Sequence, residues 1–76
     1  MLGPHELLEK IIEYGKIEFE KGNQSIKKID LWNYVVKIDP SARRESLNAV
    51  IRELNARGWL LKNDEKEIKF DPVSFE

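Results

Sequence analysis

Apolar positions recur at helical spacing near the start of the chain. Leu7, Leu8, Ile11, Ile12 and Gly15 follow one another at i, i+4 intervals, with Glu6, Glu9, Lys10 and Glu13 on the other side. Gly3-Pro4 opens this first helix, since a proline's missing N–H would be unpaired in a first turn anyway. The pattern predicts a helix through Phe19 that stops at Gly22-Asn23. A rival reading ends it at Gly15 and makes residues 16–20 a short strand, because Ile17 and Phe19 alternate with charges. The longer helix is preferred.

Residues 24–26 read as a short extended connector, and a second helix is expected from about Lys28 to Lys37. Counting about 100° per residue from Ile29, the polar Asp30, Asn33 and Lys37 share one narrow sector, and apolar residues fill most of the rest. So wide an apolar surface implies that the helix is sandwiched inside the domain or that part of it meets a partner. In so small a domain sandwiching is the expectation. Asp39-Pro40 then marks a boundary: proline disfavours helix at Asp39, which is placed to cap a third helix with Pro40 as its first residue. That helix is expected from Pro40 to Arg57, ending at Gly58, with Leu47, Val50, Ile51 and Leu54 as its apolar stripe. Residues 59–62 and 67–70 read as a β-hairpin about a turn at 63–66, closed by Asp71-Pro72, with the last few residues fraying. One domain over residues 1–76 is expected, with an ordered core of about 4–71.

The element order is helix, short extended piece, helix, tight turn, helix, hairpin. It resembles the winged helix-turn-helix superfamily, from Leu7 to Phe70. The segment from Leu47 to Leu60 looks like that superfamily's recognition helix, with its terminal Leu-x-x-x-Gly and the aromatic and aliphatic residues that enter the wing. No single family within the superfamily stands out. The resemblance implies a mainly α, α+β fold: a three-helix winged helix-turn-helix with a C-terminal hairpin as the wing. It implies a non-enzymatic domain that binds double-stranded DNA with helix 40–57 in the major groove, as a transcriptional regulator or a replication or recombination accessory. A protein-interaction module in a larger nucleic-acid-processing assembly is the alternative, from the same superfamily.

A helix that reads the major groove needs an apolar face for its own domain and a hydrogen-bonding face pointing away. Arg44, Asn48, Arg52 and Asn55 form such an outward stripe opposite Val50, with Ser41 and Glu45 on the same side. Arginine and asparagine present paired donors and acceptors that match guanine and adenine edges. Arg43 lies nearer the apolar side, from which it reaches a phosphate only past the helix start. Lys27 and Lys28, just before the second helix, are placed to hold a phosphate. Arg57 reads as structural, and Trp32 and Trp59 as core.

Charge sharpens this picture. The chain's net charge is −1, yet residues 23–57 hold seven basic against four acidic side chains, and the remainder six against ten. A nucleic-acid binder concentrates positive charge on one face whatever its total, although small charged domains also fluctuate this way. The wing departs from the DNA-binding pattern, since its tip, residues 63–66, is net negative. Weak binding by a single copy follows. With the wide apolar second helix, this favours a protein partner or a homodimer through Leu31, Tyr34 and Ile38.

Composition removes other classes. There is no cysteine, hence no disulfide, thiolate zinc site or cysteine nucleophile, and the single histidine, His5, beside the N-terminus, argues against a histidine triad or a multi-histidine metal site. No cofactor or metal is expected. No phosphate-cradling glycine loop or EF-hand spacing is present. No signal peptide or membrane span is read, and an intracellular, cytoplasmic or DNA-associated location is the expectation.

Overall fold

A computed structural model describes residues 2–76; the first residue of the expected 1–76 domain lies outside them. Helix α1 spans Pro4–Glu20, strand β1 Ser25–Lys27, helix α2 Lys28–Ile38, helix α3 Arg44–Ala56, strand β2 Leu60–Asn63 and strand β3 Glu67–Phe70; a 3-10 turn, Pro72–Phe75, follows. The layout is mainly helical α+β, three helices with a three-stranded antiparallel sheet in the order β1-β3-β2, as in a winged helix.

The rival strand over residues 16–20 does not form, because α1 continues to Glu20. Ile17 is accordingly left on the surface, while Gly15 packs inward. An alanine methyl at Gly15 would lie 2.5 Å from the Phe70 ring, so glycine is what lets that ring pack this close to α1. The residues expected as a plain connector are half of a strand pairing. Ile26 stands opposite Ile68 in the sheet, and both are buried. The tail does not fray in this structure: Asp71 accepts from the Val73 amide to start the 3-10 turn, and Phe75 stacks on Phe19 and Phe70.

Leu31, Val35, Ile11, Leu54 and Ile68 are the most deeply buried side chains, so all three helices and the sheet share one core. Leu31, named for a homodimer surface, is fully buried and has nothing to offer a second copy. Tyr34 is half-buried with its ring 4.7 Å from that of Tyr14, and Ile38 is half-buried against the core. Nor is α2 sandwiched: two inward residues, Leu31 and Val35, anchor it, while Ile29 and Val36 remain exposed.

The third helix starts four residues later than expected. Pro40 and Ser41 belong to a turn, and Arg43, with extended backbone, occupies the capping position. Asp39 does cap, but it caps the turn. One carboxylate oxygen accepts from the Ser41 amide at 3.2 Å and hydroxyl at 2.6 Å, and the other accepts from the Leu2 amide at 3.1 Å. These hydrogen bonds, the Ser41 hydroxyl foremost, hold the buried Asp39 carboxyl below its ordinary range. At its far end α3 closes on Gly58, whose φ of +73° lets the Trp59 amide donate to Leu54 and turns the chain into β2.

Candidate nucleic-acid interface

Leu47, Val50, Ile51 and Leu54 anchor α3 in the core, which fixes the rotation of the helix and leaves Arg44, Asn48, Arg52 and Asn55 exposed as one stripe. Asn48, Arg52 and Asn55 make no side-chain hydrogen bond or ion pair among the described residues. The reason is local: neither Arg44 nor Arg52 has a carboxylate three or four residues away, the only spacings at which a helix pairs its own side chains. Arg57, by contrast, has Glu53 one turn back. It binds that carboxylate at 3.2 Å and lies 4.9 Å over the Trp59 ring, a structural role as its position implied.

Arg44 is placed differently from its companions. Its guanidinium sits 5.0 Å from the centre of the Trp32 ring, across the junction of α2 and α3. Trp32 and Trp59 are both half-buried against the core, each with an arginine over it. A cation held over a ring keeps its outer N–H groups available while losing side-chain freedom. Ser41, expected on the helix, lies before it, with its hydroxyl proton donated to Asp39. Arg43 is exposed at the start of α3.

Lys27 and Lys28 straddle the β1–α2 junction. With Arg44 and Lys66 they line a concavity of about 460 Å³ whose other walls are Ile29, Glu65 and Glu67. The Lys28 amide donates to the Lys66 carbonyl at 2.7 Å, which ties the hairpin turn to the start of α2. Lys66 was missed from sequence because the pairing that brings it here, β1 with β3, joins residues some forty apart. The alternation of Ser25, Ile26 and Lys27 was the available signal for a strand.

Within the hairpin, Lys62, Asp64 and Glu67 satisfy one another. Asp64 accepts from the amides of Glu67 and Lys66, both at 2.9 Å, and these bonds lower its carboxyl pKa. Lys62 binds Glu67 at 2.6 Å and Asp64 at 3.4 Å, and its ammonium pKa is raised chiefly by the Glu67 contact. Of the acidic wing residues facing the concavity, Glu67 is therefore already matched and Glu65 is not.

A second, larger groove of about 700 Å³ runs between the start of α1 and the opposite flank of α3, with Leu2, Leu7, Leu8, Ala49 and Val50 among its walls. Among the described residues no group of three or more His, Asp or Glu gathers as a metal site, and no helix is long and apolar enough to cross a membrane. Comparisons with protein-family models, with curated proteins and with solved structures returned no match.

Proposed function

We propose that this domain binds double-stranded DNA as a winged helix-turn-helix module, without catalysing a reaction, in the compartment that holds the DNA. The observation that carries the reading is the separation of paired from unpaired charge. Among the described residues no salt bridge forms from Asn23 to Arg52, while His5, Lys10 and Lys21 of the first helical region and Lys62 of the hairpin each meet a nearby carboxylate. Unpaired cations beside unpaired amides suit a polyanion that also presents base edges. In this reading Asn48 and Arg52 face bases, with Arg44 and Asn55 beside them. Lys27, Lys28, Arg43 and Lys66 hold phosphates, and Ser41 contributes at most its hydroxyl oxygen. A role in transcription, replication or recombination accompanies it.

The test is a titration of isotope-labelled protein with a mixed-sequence duplex at low salt, followed through backbone amide shifts. Shifts confined to Lys27, Lys28, Lys66 and residues 41–55 are the expected result. No shift at near-millimolar duplex overturns the proposal for the isolated domain.

A further inference from the structure

Large apolar side chains exposed on this chain are few, and two of them share one face of α2. Ile29 is 54 % and Val36 36 % exposed, and the half-buried Trp32 lies between them. At about 100° per residue the three fall within a sector of about 60°, a stripe about 10 Å long. Its margins carry a net positive charge. Lys28 flanks one edge, Lys37 the other, and Arg44 lies over the Trp32 ring. None of these three cations is in a salt bridge among the described residues; the acids nearest the margins are Asp30, about 20° round the helix from Lys37, and Glu65, across the concavity from Lys28 and Arg44.

Charge selects among occupants. A second copy packing the same stripe sets Lys28, Lys37 and Arg44 of both copies against one another, with Asp30 and Glu65 too few to offset them once Lys27 and Lys66 are counted. Nucleic acid matches the cations but leaves Ile29 and Val36 against phosphate or water. A helix carrying apolar residues at i, i+3 and i+7 with carboxylates on either side satisfies both the stripe and its margins. We propose that the Ile29–Trp32–Val36 face of α2 docks an acidic amphipathic helix of a partner protein. The proposal does not rest on the DNA reading: it shares Lys28 and Arg44 with that surface and leaves Asn48, Arg52 and Asn55 outside it.

The probe is a synthetic amphipathic peptide of about 18 residues, long enough to hold helix when bound, with leucines at that spacing and glutamates elsewhere; its control carries lysine for every glutamate. Titrated into the labelled full chain, the acidic peptide should give saturable shifts on residues 28–37 and Arg44, and the basic one none. The double variant Ile29→Glu, Val36→Glu should weaken the acidic peptide at least about tenfold, since such stripes concentrate binding in a few anchors. If that variant loses its thermal transition, Lys37→Glu serves instead, weakening the acidic peptide and admitting the basic one. The proposal is overturned by the absence of shifts at millimolar acidic peptide, or by equal response to both peptides. Concentration-dependent shifts of Ile29 and Val36 in the protein alone overturn it in favour of a second copy. Duplex DNA that shifts Ile29 and Val36, and ceases to do so in the double variant, overturns it in favour of nucleic acid.

Discussion

The hairpin and the third helix are both rich in charge, and they use it in opposite ways. In the hairpin, Lys62 bridges Asp64 and Glu67 while Asp64 closes the turn by accepting two amides. On α3, Arg44 and Arg52 are in no salt bridge, and Asn48 and Asn55 beside Arg52 make no side-chain hydrogen bond, among the described residues. Charge that closes a local structure has already met its opposite. Charge left unpaired on a rigid, well-anchored helix retains its full field for a ligand. The wing's negative tip thus matters less than its formal count, and α3 matters more.

The strongest way to break that contrast is salt. If about four phosphates are neutralised, a fourfold rise in salt should weaken duplex binding about a hundredfold. A change of under about threefold, read by fluorescence anisotropy, would remove the electrostatic basis of the contrast. Next in size is Arg52→Ala, expected to cost about 1–3 kcal/mol in duplex affinity if the side chain meets a base edge, with the unfolding midpoint unmoved. Lys62→Ala, in the hairpin, should leave affinity almost unchanged. Equal losses in the two variants would contradict the division of labour.

Gly15→Ala sharpens the contrast from the scaffold side. Its methyl would strike Phe70, and overpacking of this kind costs about 1–3 kcal/mol, offset by up to about 1 kcal/mol of helix propensity. Urea unfolding should show a net loss with duplex affinity of the folded protein preserved. The smallest effect is that of acid. Asp39 and Asp64 both have folded-state pKa values below the ordinary 3.8. Their contribution to stability is complete above that value and is lost as pH falls through the depressed folded values. Thermal melts from neutral pH downward should show an acid limb that is shallower in Asp39→Asn, and an unchanged limb would assign it to other carboxylates.

The helices were legible because their periodicity is local. Leu47, Val50, Ile51 and Leu54 define the inner face of α3 in sequence as they do in the structure, and the outer stripe follows from them by geometry alone. The start of that helix was misplaced because Asp39-Pro40 carries the same signals for a helix cap and for a turn. The tertiary bond from Asp39 to the Leu2 amide favours the turn. The wide apolar surface of α2 was visible, but its division into Leu31 and Val35 within and Ile29 and Val36 without was not. That division depends on which side α1 and the sheet approach.

By itself the sequence determined the three helices, the hairpin, the register of the outward Arg and Asn stripe and the absence of thiol chemistry. All of these follow from side-chain spacing and type within a few residues. Only the tertiary structure decided that β1 pairs with β3, that Lys66 joins Lys27, Lys28 and Arg44 around one concavity, and that Arg44 lies over Trp32. Those contacts join residues distant in the chain, and no local periodicity encodes them. They form when burial of Ile26, Ile68 and Phe70 against α1 brings the sheet and the helices into one core.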